Sequence, residues 1–197
     1  MAGELQGKVR EKLKVVREAY RGFRRGLDGR QERLFRIFSF LMKFLLLAAP
    51  FYLVLGSGWE AEGLRGFIAG ISASILQLLG IKATSSGTFV EVGNLLLDVT
   101  RDSTGWKSVA VLAALVFASP LEVGEKLKGV LVGVPLILAV NVLRIVSMVY
   151  AVTVWGVEYE FLHLFLWRWG LTGAVILLWA SWIHFSGSGF RVSLPER

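Results

Sequence analysis

The sequence predicts an all-α polytopic membrane protein. It should have about four transmembrane helices, one helix in the outer interface, a short extracytoplasmic β-hairpin and an N-terminal amphipathic cytoplasmic helix. Three observations carry that expectation. Hydrophobic residues make up 54% of the chain and gather into runs long enough to cross a bilayer, which takes about 20 helical residues. Lys and Arg number 22 in all, and eleven of them precede residue 37, an asymmetry that fixes inside and outside. There is no Cys, and the only imidazoles are His163 and His184. Disulfides and thiolate metal sites are therefore excluded, and neither a metal nor a cofactor is expected.

Residues 1–33 form the N-terminal unit. Leu5, Val9, Leu13, Val16, Tyr20, Phe23 and Leu27 recur at steps of three and four, one apolar stripe on a helix whose other faces carry Lys and Arg. The basic arm is too long for the leading segment of a cleavable signal peptide. It runs straight into a spanning helix, so its expected partner is membrane lipid and no nucleic acid; a partner-docking arm, or a solvated tether packing its stripe on the membrane domain, fits the same pattern.

Residues 34–197 form the membrane domain. Ile37–Gly58 crosses outward despite Lys43. Leu64–Ile81 is short for a span, and Leu64, Ile68, Ile71, Ile75 and Leu78 make a stripe opposite Ser72, Ser74 and Gln77. That is the pattern of a helix lying in the outer interface; a crossing here would move all that follows to the other side. Thr84–Gly87 reads as a turn cluster, and Thr88–Val92 and Leu95–Thr100 as the two strands of a hairpin turned at Gly93-Asn94. Ser103–Leu121 then goes inward, and Lys126 and Lys128 mark the cytoplasmic link. Gly129–Val154 returns outward to a loop, Trp155–Phe161, without Lys or Arg. Leu164–Phe185 goes back in, leaving both termini inside. Trp155, Trp167, Trp169, Trp179 and Trp182 suit an interfacial belt.

Three segments carry chemistry into this frame. Asp102-Ser103-Thr104-Gly105-Trp106-Lys107-Ser108 puts a hydroxyl in a polar turn at the mouth of a helix. Asn141-Val-Leu-Arg144 and Glu160-Phe-Leu-His163 bring polar groups into or beside apolar runs, where charge is costly and points to function. Ser103 opens an inward helix and His163 another, both at the outer face. Arg144 lies 15 residues along its outward helix, roughly 22 Å from its start. The three therefore share a level. His184, 21 residues past His163, is about 31 Å further in. Taken singly, a Ser at a helix start is commonly a cap and a buried Arg commonly a clamp between helices. Order and depth together favour a site.

The residue types suit acyl transfer. A hydroxyl or thiolate at position 103 would attack a carbonyl, His163 would take the proton, and Arg144, charged even when partly desolvated, would hold the oxyanion. Asn141 lies one turn before Arg144 on the same face and could orient Arg144 or the substrate amide. Arg168 lies about 1.5 turns beyond His163, and Asp102 caps the turn or assists the site.

This ordered set resembles the exosortase/archaeosortase family of integral membrane cysteine transpeptidases, over roughly residues 64–170. In that family a Cys opens a transmembrane helix within Cys-Ser/Thr-Gly, Asn-x-x-Arg supplies a catalytic Arg, and His or Arg follows on the next helix. The resemblance implies a catalytic set of Ser103, Arg144 and His163, supported by Asn141 and by Arg168, since His in some members and Arg in others fills the third position; Asp102 is a further supporting candidate from its place in the turn. It also implies a chain in the cell membrane with its active site outside. There it would cleave the C-terminal sorting signal of secreted preproteins and transfer the new C-terminus to a lipid or glycan acceptor. Ser103 stands where the family has Cys. An alcohol is the poorer nucleophile near neutrality, so the chain reads as an inactive form in which Ser replaces a native Cys, a natural serine variant being the alternative. Two other readings remain. One is a Ser-dependent intramembrane protease, which the lack of Gly-x-Ser-x-Gly around Ser103 disfavours. The other is a non-enzymatic assembly factor whose polar groups hold helices together.

Overall fold

The computed structural model describes residues 26–158 and 168–186, with scattered positions between 6 and 22 at which the backbone is helical. His163 lies outside the described residues, as do the rest of 159–167 and 187–197. The chain divides into two compact units, Met1–Lys43 and Phe44–Arg197.

Helix α1, Gly29–Gly56, starts eight residues before the expected Ile37, and a local cap explains where. Asp28 Oδ1 accepts the backbone N–H groups of Arg30 and Gln31 at 2.9 and 2.7 Å, while Gln31 Oε1 accepts the N–H of Asp28 at 3.1 Å. This reciprocal cap satisfies donors that a helix start leaves orphaned. No side chain of α1 is buried; Leu46 and Leu53 are 75% and 77% exposed, apolar surface that suits lipid. Among the described residues, α1 and α4, Val123–Trp155, are the two helices long and apolar enough to cross a membrane.

In the second unit α2, Glu62–Leu78, leads into a three-stranded antiparallel sheet of order β1-β2-β3. The strands are Ala83–Ser86, Phe89–Val92 and Leu95–Asp98. The expected hairpin is thus β2–β3, and β1 is an addition where a turn cluster was anticipated. Only Ala83 of β1 is buried, so its sequence shows no alternation, but its backbone pairs with β2 from Ala83↔Val92 to Ser86↔Phe89.

The buried face of α2 also differs from the expected stripe. It consists of Ile68, Ala69, Ser72, Ala73 and Leu76, whereas Leu78 is 86% exposed. Small residues let neighbouring backbone approach closely, which matters more than apolarity where lipid is the alternative. Ile68, Leu76, Val90 and Val99 form one core with Val142, Ile145, Val146 and Val149 of α4. α2 therefore backs onto the sheet on one side and onto the later half of α4 on the other.

The chain then makes a 3-10 turn, Arg101–Thr104, before α3, Trp106–Ala118. The expected helix start at Ser103 is displaced because Gly105, at φ 80°, cannot continue a right-handed helix. α3, α4 and α5, Arg168–Phe185, share a second core of Leu112, Val116, Ile137 and Val175. On α4, Gly129 and Gly133 let Trp182 and Leu112 lie against the helix backbone; a Cβ at either position would stand 2.6 Å from the intruding side chain. The described chain is mostly helical, with one small sheet beside the turn that carries Ser103.

Candidate functional site

Ser103 is the third residue of the 3-10 turn and is half-buried. Its N–H donates to Thr100 O at 2.9 Å, and its hydroxyl meets that of Thr100 at 3.0 Å. Its carbonyl accepts a 2.7 Å hydrogen bond from Asn141 Nδ2 of α4. The helix-cap reading of Ser103 is set aside, since α3 is capped by Gly105. Residue 103 is instead fixed through its own backbone and presents its side chain beside the turn.

Gly105 makes that placement feasible. Its φ of 80° is the left-handed conformation that favours glycine, and a Cβ there would come within 3.0 Å of Asn141 Cγ. The turn and α4 thus touch through a residue without a side chain. Asn141 is fully buried.

Arg144, one helical turn on from Asn141, completes the described part of the site. Leu97, Asp98, Val99 and Ser103 on one side and Arg144, Ile145 and Met148 on the other enclose a cavity of about 10 Å³. That is room for roughly one water molecule. Ser103 and a permanent cation, Arg144, therefore border the same small space, 41 residues apart in sequence. Among the described residues, no cluster of His, Asp and Glu is placed to hold a metal ion.

The other expected residues divide. Asp102 is exposed and pairs with Lys107 Nζ at 2.8 Å, tying the turn to the first turn of α3. Arg168 opens α5, but its side chain lies outside what is described, as does the whole of His163. Trp106, next to Gly105, is gripped by aromatic neighbours. Its ring lies 4.8 Å from that of Phe51 and 5.8 Å from that of Trp59, with the Arg101 guanidinium 5.8 Å from its centroid.

Sequence reasoning missed three residues here. Asp98 lines the cavity, and Arg65 of α2 holds it, with Nη2 at 3.0 Å from Oδ1 and 3.2 Å from Oδ2. Arg65 Nε also donates to Val99 O at 2.8 Å. Thr100 touches the Ser103 hydroxyl. An Arg and an Asp 33 positions apart give no local signal, and the Thr looked like the end of a strand. The hint available was Arg65 itself, the one basic residue of a mostly apolar helix.

Comparison with known proteins adds one match. The profile of the family described as transmembrane exosortase (EpsH type) matches residues 29–185, which includes α1 to α5 and every residue of the site. No curated protein and no solved structure matches the chain.

Proposed function

The chain belongs to the transmembrane exosortase family, and from that premise we propose that it is a membrane transpeptidase for C-terminal sorting signals. The observation that supports this reading most is the cavity shared by Ser103 and Arg144. An attacking atom and an oxyanion-holding cation must lie on either side of one carbonyl.

In this reading the side chain at 103 adds to the scissile carbonyl of a secreted preprotein. His163 takes its proton and passes it to the departing amine, and Arg144 holds the negative oxygen in between. The acyl group left on residue 103 is then taken by the amine or hydroxyl of a lipid or glycan acceptor, which regenerates the free side chain. Asn141 supports the site by holding the carbonyl of Ser103. Ser103 itself stands for the family's Cys, and the serine form binds substrate without releasing a cleaved product.

The active site faces outward in this proposal, with four spans and α2 in the outer interface. α3 has 13 residues and rises only about 20 Å, against a hydrocarbon core of about 30 Å. Its crossing therefore draws in the 3-10 turn and the link 119–122, which sinks Ser103 toward the level of Arg144.

The test is product formation from a peptide bearing a C-terminal sorting signal. It compares the Ser103 chain with Ser103→Cys and Ser103→Cys/Arg144→Ala. The reading expects turnover by Ser103→Cys alone. Equal turnover by the Ser103 chain would make it a natural serine enzyme. No turnover by any form would favour the assembly-factor alternative.

A further inference from the structure

The hydroxyl of Thr100 lies 3.0 Å from that of Ser103, and everything around Thr100 is built to keep it there. The peptide just before it is clamped. Arg65 Nε donates to Val99 O at 2.8 Å, and Arg65 Nη2 reaches both carboxylate oxygens of Asp98. Thr88 Oγ1 donates to Asp98 Oδ1 at 3.0 Å, and Thr88 O accepts the N–H of Val99 at 2.9 Å. Val99 is itself a buried member of the α2–sheet–α4 core. Thr100 N–H then donates to Asp98 O at 3.0 Å, and Thr100 O accepts the N–H of Ser103 at 2.9 Å. An exposed threonine is thus held at its backbone on both sides while its side chain stands against one atom, the side-chain oxygen at 103.

We propose that Thr100 is a positioning residue for the side chain at 103, its hydroxyl donating to that atom when it carries negative charge, with the Arg65–Asp98 clamp holding Thr100 in register. This rests on the reading of residue 103 as the nucleophile position. A hydrogen bond to the charged form of an acid favours that form, and a hydroxyl can donate to an anion but gains less from a neutral thiol or alcohol. Among the described residues, the charged groups bordering the same space are Asp98 on β3 and Arg144 on α4. On the turn and its helix, Asp102 is taken up by Lys107, while Arg101 donates to Trp59 O at 2.9 Å. Asp98 opposes ionisation at 103 and Arg144 favours it; Arg65, by holding Asp98, weakens the opposition. Thr100 adds a donor that acts at contact distance.

The experiment uses the full chain with Ser103→Cys, which supplies a single titratable thiol because the protein has no other Cys. The rate of alkylation by iodoacetamide is followed from pH 5 to 10 in detergent, giving the thiol's midpoint without any substrate. Thr100→Val and Thr100→Ala are expected to move the midpoint upward and slow alkylation at pH 7 about threefold or more, whereas Thr100→Ser keeps the parent profile. Position 100 is exposed, so the unfolding midpoint should be the same in all four chains. An unchanged alkylation profile in both Val and Ala chains would overturn the proposal. So would an equal shift in the Ser chain, which would point to backbone disturbance. Product formation is measured separately on the sorting-signal peptide. A Thr100-dependent midpoint without product leaves this inference standing and removes the proposed function. Product with no Thr100 dependence does the reverse.

Discussion

Asn141 Nδ2 donates to the main-chain carbonyl of Ser103 at 2.7 Å, across 38 positions of sequence. This bond ties the middle of α4 to the 3-10 turn and sets the height of residue 103 against Arg144, one turn further along. Asn141 Oδ1 is buried with no hydrogen-bond partner among the described residues. A buried unsatisfied acceptor costs about 1–3 kcal/mol, so the side chain is better explained by position than by stability.

Asn141→Leu removes that orphan acceptor and, in the same stroke, frees the Ser103 carbonyl. The two effects oppose each other, and the unfolding free energy in detergent should change by about 1 kcal/mol or less. Product formation in the Ser103→Cys background should nevertheless fall at least about tenfold. Asn141→Asp places a carboxylate against the carbonyl oxygen and should lower stability by about 2 kcal/mol or more. Denaturation curves run beside product assays separate these outcomes.

Gly105→Ala meets two obstacles, a left-handed φ of 80° and a Cβ 3.0 Å from Asn141 Cγ. Gly156→Ala meets one, since φ is 64° there and nothing lies within 4 Å. The expected losses of stability are about 2–3 kcal/mol at 105 and about 1 kcal/mol at 156. Only the first substitution should also reduce turnover. Equal losses would mean that contact with Asn141 contributes nothing.

The Arg65–Asp98 clamp should behave as a coupled pair. Arg65 is 15% exposed and Asp98 38%, so the pair is partly shielded from solvent. Arg65→Met should cost about 2 kcal/mol, because it strands the Val99 carbonyl and leaves the carboxylate to Thr88. Asp98→Asn should cost about 1 kcal/mol or less, and the double substitution should cost less than the sum. Additivity in the cycle would show that the two side chains act independently.

Much of the helical architecture could be read from apolar runs. Ser103 and Arg144, which line one cavity, were expected at one level because rise per residue is fixed once a helix is assumed. What escaped was decided by contacts between segments distant in sequence. Ser72 looks like the wet side of α2, yet it is buried because a small residue is needed where α2 meets its neighbours. β1 is a run of small polar residues whose pairing with β2 is a property of backbone alone. Arg65, Asp98 and Thr100 belong to no motif, and only the folding of α2 over the sheet brings them to residue 103. The Asp28–Gln31 cap fits the spacing rule for helix starts but went unread in the sequence, and it explains the early start of α1.

Topology can be tested in a chain that has no Cys to begin with. Ser86 on β1 and Glu158 after α4 are both exposed. Cysteines introduced at these two positions should both react with an impermeant thiol reagent in intact cells. Labelling at 158 without labelling at 86 would mean that α2 crosses the membrane, and it would put the sheet and Ser103 on the cytoplasmic side.

The central claim is that residue 103 carries the attacking atom. The most direct measurement is intact-mass spectrometry of the Ser103→Cys chain, quenched early in its reaction with a sorting-signal peptide. The account predicts a mass gain equal to the acyl portion of the peptide, located on residue 103 after digestion. The gain should be discharged by added hydroxylamine and absent when Arg144→Ala is combined with Ser103→Cys. Cleaved product accompanied by an adduct on another residue, or undiminished turnover after Ser103→Ala, would contradict it.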